Sequence, residues 1–307
     1  MCNKYPTVSV IIPVYNAEKY LYDCLKHICD QSYSKAGYEV IVVDNASVDK
    51  SADIIKSFNV KYVYSREKGP SPSRNTGIKF AKGEYIIFID SDCIADKELL
   101  INHIKTHQKF NENNAHVGIV GGSIGGINNS FWAICDDFCS WYLNNPGLKA
   151  RYEERYLPTA NLSVSKCIID KLGGFNKSLR FGEDVDFCNR ARSLGYKIYF
   201  EPKAKLYHIN RTSFLSFINH AKQWASIGST TEFTNKNNKT VEVKNILILG
   251  FYYIYYFLYR FFELVHYWLL AKRYTVLFFL PFILYNKIIF GFYMIKNRFK
   301  AKLKSSS

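Results

Sequence analysis

The first 124 residues alternate between short apolar runs and amphipathic segments, and this alternation constrains the fold more than any other feature. The runs typical of buried strands lie at 7–12, 38–43, 60–64, 85–89 and 117–120. Helical periodicity lies between them, for example over 49–58 and 96–110. Apolar strands separated by helices are typical of a mostly parallel sheet covered on both faces. The sequence therefore predicts an α/β domain with a mostly parallel central sheet flanked by helices.

The remaining local predictions are less regular. Residues 125–157 show no clear hydrophobic periodicity, and they are predicted to form loops and short helices that cover the ligand-binding site. The later elements are predicted as a strand-like run over 159–165, a turn at 173–175, helix 184–194, strand 196–200 and helix 213–227. Asn16 is predicted to cap the first helix, and the GPSPS stretch at 69–73 is predicted to be a loop before a helix.

Polar side chains follow three of the predicted strands at the point where each strand ends. Pro13 and Tyr15 follow the first strand, Asp44 follows the second, and Asp90 and Asp92 follow the fourth. Ligands of parallel α/β sheets bind beyond the carboxyl ends of the strands, so these side chains are expected to share one crevice. Two neighbouring carboxylates repel each other, and a divalent cation that also holds phosphate oxygens would relieve that repulsion. A DxD triplet by itself is weak support, because short acidic triplets are common.

A second acidic pair and one histidine are further candidates. Glu183 and Asp184 open a predicted helix, where acidic residues also favour the helix dipole without any catalytic role. A carboxylate at a helix start that faces a crevice can equally act as a general base. His208 follows the strand-like KAKLYH stretch, and it fits either a structural histidine or a metal ligand.

The C-terminal segment 245–307 is the most apolar and the most basic part of the chain. It holds nine Lys/Arg and one acidic residue, a net charge of +8 out of +15 for the whole protein. Apolar residues combined with positive charge favour a membrane surface as partner and disfavour nucleic acid. Two stretches, 246–271 and 274–295, are each long enough for roughly one bilayer crossing of about 20 residues.

Charged residues inside these stretches favour interfacial or re-entrant helices over a two-span hairpin. Arg260, Glu263 and His266 recur every three residues and are expected to face water or lipid headgroups. The second stretch is interrupted by Pro281 and by Asn286-Lys287. The basic residues expected at the cytoplasmic face are Lys296, Arg298, Lys300, Lys302 and Lys304.

Eight cysteines are scattered along the chain without a CxxC pair, so free thiols are expected and zinc is not. Unpaired cysteines suit a reducing cytoplasm. The N-terminal stretch MCNKYPTVSV has no long apolar run, so no signal peptide is expected. These observations predict a protein at the cytoplasmic face of a membrane.

Four stretches together resemble the family-2 glycosyltransferases of the GT-A fold. They are VSVIIPVYNAEKYLYDCL, YEVIVVDNASVDKS, SRNTGIKFAKGEYIIFIDSD and GGFNKSLRFGEDVDFCNRARSLGYKIYFEP. The resemblance covers about residues 6–230 in order, and the joint match is more specific than any single motif. It implies a nucleotide-sugar donor, a divalent Mn or Mg ion, and inversion at the anomeric carbon.

The resemblance also implies roles for individual residues. The donor-binding residues are expected to be Pro13, Tyr15, Asp44, Arg74, Asp90 and Asn161. The expected metal ligands are Asp92, Asp90 and His208, with Asp92 the more direct ligand and Asp90 nearer the ribose. Within the ED motif, Asp184 is the expected base, with Glu183 beside it.

The function predicted from these features is transfer of one sugar from a UDP-sugar to a hydroxyl of a lipid-linked or cell-surface glycan. Gln223-Trp224 stands where processive synthases of the family carry a QxxRW motif, which favours single-sugar addition. Direct transfer to a polyprenyl phosphate is an alternative, although an intact Asp184 favours a hydroxyl acceptor. A nucleotidyltransferase and a non-catalytic membrane scaffold are the alternatives from other classes. PVYNAEKY is not a Gly-rich phosphate loop, and the retained acidic motifs argue against a scaffold.

The predicted domain organisation has three parts. A GT-A catalytic domain is expected at 1–234, a polar linker at 235–244, and a membrane-associated tail of hydrophobic and amphipathic helices at 245–307.

Overall fold

The computed structural model describes residues 6–127, 130–179, 181–228 and 246–305. The strands are β1 (Val8–Val14), β2 (Tyr38–Asp44), β3 (Lys61–Tyr64), β4 (Tyr85–Ile89), β5 (Cys93–Ala95), β6 (Val117–Ile127), β7 (Arg151–Tyr152), β8 (Asn161–Ser165) and β9 (Lys197–Ile209). The helices are α1 (Leu21–Cys29), α2 (Ser51–Lys56), α3 (Pro70–Phe80), α4 (Leu99–Glu112), α5 (Phe131–Ser140), α6 (Lys166–Leu172), α7 (Glu183–Ser193), α8 (Phe214–Gly228), α9 (Ile246–Leu270) and α10 (Val276–Ser305). A turn of 3-10 helix lies at Lys35–Gly37.

One sheet contains all nine described strands. Its order is β3-β2-β1-β4-β8-β6-β9-β5, and β7 pairs with β9. The neighbours β3, β2, β1 and β4 are parallel, and so are β6 and β9. β8 runs antiparallel to both β4 and β6, and β5 and β7 run antiparallel to β9. The predicted α/β class with a mostly parallel sheet is confirmed, and the carboxyl ends of β1, β2 and β4 lie at one edge.

The sheet is buried because its central strands are apolar on both faces. All five residues of β4 are buried, and β1 buries six of its seven residues. Helix α1 buries Leu21, Cys24, Leu25 and Ile28, the four residues that its periodicity places on one face. These helices and strands fix the position of the loops beyond the carboxyl edge.

Two local predictions are wrong. Asn16 does not cap α1. It adopts a positive φ of 50°, and its Oδ1 accepts a hydrogen bond from the Val48 backbone N at 2.9 Å. The Pro-rich stretch predicted as a loop is the first turn of α3, which begins at Pro70 after Gly69. Proline is tolerated there because the first N–H groups of a helix have no intrahelical partner.

A buried polar network joins α4 to the sheet. His103 Nε2 lies 2.8 Å from Asn161 Oδ1, and His103 Nδ1 lies 2.8 Å from Ser163 Oγ. His107 Nε2 lies 2.9 Å from the same Ser163 oxygen. Gly122 of β6 is required here, because a Cβ at that position would lie 2.3 Å from Asn161 Nδ2.

The chain divides into two compact units, and the division differs from the predicted domains. One unit is Met1–Ile127 with Asn144–Ile209, and the other is Asn128–Leu143 with Asn210–Ser307. Helices α5 and α8, predicted to belong to the catalytic domain, thus group with the C-terminal helices. The predicted linker 235–244 lies outside the described residues.

The second unit is helical and has its own core. Phe138 of α5 packs edge-on against Trp268 of α9 with ring centroids 4.9 Å apart, and Trp268 Nε1 donates to the Phe138 carbonyl at 2.9 Å. Phe279 of α10 completes this cluster. In this unit, Arg260 pairs with Glu263 at 2.8 Å, and both side chains are mostly buried. Of the three residues expected to face water or headgroups, Arg260 and Glu263 are therefore partly buried and paired with each other, whereas His266 is exposed as expected.

The exposed faces of α9 and α10 are instead apolar. On α10 this face consists of Leu277, Phe278, Leu284, Tyr285, Ile288 and Phe292. On α9 the corresponding residues are Tyr255, Leu258, Tyr259 and Phe262. Within the described part of the chain, one stretch is long and apolar enough to cross a membrane: 22 residues at Val276–Asn297 with a mean hydropathy of 1.7. The described cysteines are free, and Cys167 is the exposed one among them.

The buried histidines predict a specific loss of stability in acid. Burial lowers the pKa of His103 to about 4 and that of His107 to about 3. Both rings are therefore neutral in the folded protein but bind protons near pH 6.5 when unfolded. Their contribution is present above about pH 6.5 and is lost as the pH falls toward 4 and 3.

We expect His103→Gln to reduce the decline in the free energy of unfolding between about pH 7 and pH 5. Urea denaturation at both pH values measures this decline, and the exposed His116→Asn is the control. An identical decline in the wild-type protein and His103→Gln would contradict the assignment.

Candidate active site

Arg74 of α3 joins the two acidic motifs. Its Nη2 donates to Asp90 Oδ1 and its Nη1 donates to Glu183 Oε1, both at 2.7 Å. Asp90 follows β4 directly and Glu183 begins α7, so residues far apart in sequence meet through one guanidinium. Arg74 is 3% exposed. Burial opposes its charge, but the two carboxylates outweigh burial and raise the pKa of Arg74.

Asp92 and His208 meet because β5 pairs with β9. Cys93 is the register partner of His208, and the Ile209 backbone N donates to the Asp92 carbonyl at 2.9 Å. This pairing brings Asp92 Oδ2 to 3.3 Å from His208 Nε2. The Asp92 side chain is 37% exposed, whereas His208 is nearly buried. The pair thus presents one open carboxylate at the carboxyl edge of the sheet.

Asp184 lies in the first turn of α7 next to Glu183. Gly182 precedes the helix with a φ of 73°, a left-handed conformation that favours glycine and turns the chain into α7. Both carboxylates are 8% exposed. Burial, reinforced by the charge of Glu183, raises the pKa of Asp184 to about 7. A carboxyl group with this pKa can accept a proton near neutral pH.

Two residues around Arg74 were missed by sequence reasoning. Asn75 holds the GGF turn against α3, because its Nδ2 donates to the Phe175 carbonyl at 2.7 Å and its Oδ1 accepts from the Phe175 N at 2.8 Å. The Phe175 ring lies 5.7 Å from Arg74 Cζ and stacks on Phe187. Both residues lie in stretches that carry the family resemblance, SRN at 73–75 and GGF at 173–175. That resemblance was the signal in the sequence that could have pointed to them. The Arg74 Nε atom is buried without a hydrogen-bond partner among the described residues.

The predicted nucleoside-binding residues lie at the same carboxyl edge. Tyr15, just after β1, is 58% exposed, and Pro13 pairs in register with Val43 of β2. Asp44 at the end of β2 is buried and accepts a hydrogen bond from the Tyr62 hydroxyl at 3.0 Å. Burial and this contact raise the pKa of Tyr62 to about 12. Tyr62 was also missed by sequence reasoning, because its side chain approaches Asp44 only through the pairing of β2 with β3.

The residues present could hold a divalent cation. In the described ranges, no group of three or more His, Cys, Asp or Glu residues is clustered for a metal. Mn and Mg sites of nucleotide enzymes often use one or two protein carboxylates plus water and phosphate oxygens. Asp92 and His208 fit such a site. Asp90 Oδ1 already accepts a hydrogen bond from Arg74. Asp90 therefore fits the predicted role of a direct metal ligand less well than Asp92 does.

Asn161 was predicted to bind the donor, and its position in the structure contradicts that prediction. The residue is fully buried in β8, and its Nδ2 donates to the Ser123 and Ala204 carbonyls, both at 2.9 Å. Its Oδ1 contacts His103. Because its donors and acceptor are engaged within the core, Asn161 holds the sheet together and does not line a sugar pocket.

The family model for glycosyl transferase family 2 matches residues 9–164, which is half of the chain. The chain belongs to glycosyl transferase family 2. The predicted family is therefore confirmed, and the protein is a glycosyltransferase. The matched region runs from β1 into β8 and contains Arg74, Asp90 and Asp92, whereas Asp184 and His208 lie beyond it.

Two relatives with named activities are glycosyltransferases. The chain is 31% identical over 207 residues to glycosyltransferase AglE of Haloferax volcanii, which covers 65% of this chain and 66% of that protein. It is 27% identical over 248 residues to a Methanococcus voltae enzyme, which covers 72% of each chain. That enzyme is named dolichyl N-acetyl-alpha-D-glucosaminyl phosphate 3-beta-D-2,3-diacetamido-2,3-dideoxy-beta-D-glucuronosyltransferase.

A solved structure shares the fold. The mannosyltransferase PcManGT from Pyrobaculum calidifontis, in complex with GDP-Man and Mn2+, superposes with a TM-score of 0.63 and 18% identity. The match covers 95% of this chain and 87% of that one. At this identity the likeness shows the fold alone, which agrees with the predicted GT-A architecture.

Substitution of Arg74 tests the bridge between the two motifs. Arg74→Lys keeps the charge but cannot donate to both carboxylates in the same fork geometry. We expect the free energy of unfolding to fall by about 3 kcal/mol, since one buried carboxylate loses its partner. Urea denaturation measures this loss.

The control is Lys177→Gln, which removes the exposed Lys177–Glu67 pair. It should change stability by less than about 1 kcal/mol. Equal small effects in both variants would show that Arg74 does not support the buried carboxylates.

Proposed function

We propose that this glycosyltransferase moves one sugar, with inversion, from a nucleotide-sugar donor to a hydroxyl of a lipid-linked or cell-surface glycan. The observation that carries the proposal is the Arg74 bridge, in which one guanidinium contacts Asp90 of the DSD motif (90–92) and Glu183 of the GED motif (182–184). The site thus combines a solvent-accessible carboxylate, Asp92, with a buried carboxyl group, Asp184, whose raised pKa suits a general base.

The donor is proposed to bind across the carboxyl edge of the sheet. Tyr15 and Pro13 would contact the base and ribose, and Asp44 would accept a hydrogen bond from the edge of the base. Uracil and guanine both carry N–H groups that can donate a hydrogen bond to such a carboxylate. We propose that the sugar donor is a UDP-sugar. Arg74 and Asp90 would lie beside the sugar-phosphate part of the donor.

Asp92 and His208 are proposed to hold a Mn or Mg ion together with the donor diphosphate. Such an ion, when bound, stabilises negative charge on the leaving diphosphate. The protein's own part is to hold the Asp92 carboxylate in place, which the β5–β9 pairing does. The likeness to a fold neighbour that contains Mn2+ supports testing manganese first.

Asp184 is proposed to take the proton of the acceptor hydroxyl. The hydroxyl oxygen forms the new bond to the anomeric carbon while the bond to the donor phosphate breaks on the opposite face. The nucleoside diphosphate leaves with the bonding electron pair. Glu183 stays paired with Arg74, so its role is to position Arg74 and raise the pKa of its neighbour.

A lipid-linked acceptor at the cytoplasmic face of a membrane is proposed from two observations. The Methanococcus relative carries a dolichyl phosphate-linked sugar in its name. The apolar stretch at Val276–Asn297 has only 22% of its length buried within the protein, whereas a core helix of a soluble protein is mostly buried. Its exposed Phe and Leu side chains suit contact with acyl chains, and the exposed tyrosines suit the headgroup level.

Asp184→Asn tests the proposed base. The substitution is nearly isosteric but removes the group that accepts the proton, so transfer should fall by roughly two to four orders of magnitude with donor affinity retained. In the wild-type protein, kcat/KM should rise with pH through about 7 as Asp184 loses its proton. Transfer from radiolabelled nucleotide sugars measures both effects.

Asp186→Asn is the matched control, because Asp186 lies on the same helix but pairs with Arg190. It should leave transfer within a few-fold of the wild type. If Asp184→Asn transfers sugar at the wild-type rate, Glu183 is the base or the acceptor is a phosphate.

Substitutions on the exposed face of α10 test the membrane proposal. Phe278→Asp and Ile288→Asp should each weaken binding to phosphatidylcholine–phosphatidylglycerol vesicles by about tenfold or more, because a buried apolar side chain contributes about 1.5–3 kcal/mol. Vesicle co-sedimentation of the full chain measures the bound fraction. The control is Val48→Asp, an 88% exposed apolar residue of the other unit, which should have no effect. Unchanged binding by both α10 variants would exclude this face as the lipid contact.

A further inference from the structure

Two lysines share one aromatic ring where α8 packs against α10. The Lys222 Nζ atom lies 5.2 Å from the centroid of the Tyr293 ring, and the Lys296 Nζ atom lies 5.4 Å from the same centroid. Lys222 and Tyr293 are half-buried, whereas Lys296 is exposed. An aromatic face attracts each cation, but two ammonium groups held beside the same ring also repel each other.

Packing between the two helices sets the positions of these lysines. Ala225, one turn after Lys222 in α8, packs with Met294 of α10, and both residues are buried. Phe290 and Ile295 of α10 pack against the same pair. The backbone positions that carry the two lysines therefore belong to a packed contact, so the fold itself brings the two charges together.

No carboxylate among the described residues of the C-terminal unit neutralises these two charges. The acidic residues described there are Asp136, Asp137 and Glu263, and each of them is paired with an arginine. In the same part of the chain, neither Lys222 nor Lys296 forms an ion pair. Two neighbouring cations without a counter-charge create a positive potential that favours binding of an anion.

The position along α10 selects the source of that anion. Lys296 is the penultimate residue of the apolar stretch Val276–Asn297. Phe292, one turn earlier, is 59% exposed and belongs to the apolar face of α10. An anion beside an exposed apolar face matches the phosphate of a lipid, because the hydrocarbon chains of the same lipid would cover that face. Tyrosine and lysine are also the side chains that commonly lie at the headgroup level of a membrane.

We infer that Lys222, Tyr293 and Lys296 form a site for the phosphate of an anionic membrane lipid. The site gives the protein a preference for negatively charged membranes over neutral ones, which the apolar face of α10 cannot give by itself. This inference rests on the membrane contact in the proposed function, and it adds the chemical class of lipid that this contact selects.

Vesicle co-sedimentation of the full-length protein tests the preference for anionic lipid. Vesicles of phosphatidylcholine alone are compared with vesicles of phosphatidylcholine and phosphatidylglycerol. Lys222→Gln and Lys296→Gln should each weaken binding to the phosphatidylglycerol vesicles by about fivefold, which is the contribution of one lysine near an anionic surface. Binding to phosphatidylcholine alone should be unchanged in these variants, whereas Phe278→Asp should weaken binding to both vesicle types.

The matched control is Lys105→Gln, which removes an exposed lysine from α4 of the other unit and should leave both affinities unchanged. The inference fails if both lysine variants keep the wild-type preference for phosphatidylglycerol, or if they lose affinity for the two vesicle types equally. It also fails if free glycerol phosphate displaces the protein from the vesicles, since the site would then take a soluble phosphate. A wild-type protein that binds neither vesicle type would instead contradict the membrane contact of the proposed function itself.

Discussion

The buried guanidinium of Arg74 is the interaction on which the arrangement of the active site depends. Asp90 follows β4 and Glu183 begins α7, and two carboxylates that share one guanidinium would repel each other without that cation between them. Arg74 supplies that cation in a geometry that reaches both. Because Glu183 is held in this way, Asp184 is fixed beside it with a raised pKa. One side chain of α3 therefore links the proposed donor end of the site to the proposed base.

Much of this arrangement could be predicted from the sequence because it follows from strand pattern. The apolar run at Tyr85–Ile89 marks β4, and parallel strands bring their carboxyl ends together, so Asp44 and Asp90 were expected at one edge. The contact of Asp92 with His208 was not predictable from pattern, since it needs the antiparallel pairing of β5 with β9. The role of Asn161 also depends on tertiary packing, because only the folded chain shows that its carboxamide is engaged by β6, β9 and α4.

The C-terminal unit shows a second limit of periodicity. A three-residue spacing places Arg260 and Glu263 on one face of α9, but spacing does not tell whether that face is inside or outside. In the structure the two residues neutralise each other, and many of the apolar residues of α9 and α10 are exposed although others form the core of the unit. Charged groups paired within a helical unit with apolar residues on its surface are typical of proteins that contact lipid. The physical reason is that a protein surface in contact with lipid favours apolar side chains, whereas a surface in contact with water favours polar ones.

The most direct measurement of the central claim is a crystal structure of the protein with Mn2+ and a non-transferable analogue of the UDP-sugar. The account predicts the diphosphate and the ion beside Asp92 and His208, with Arg74 still bridging Asp90 and Glu183. Asp184 should face the anomeric carbon from the side opposite the leaving phosphate. A nucleotide bound away from the DSD motif, or Asp184 lying on the same side as the leaving phosphate, would contradict the account.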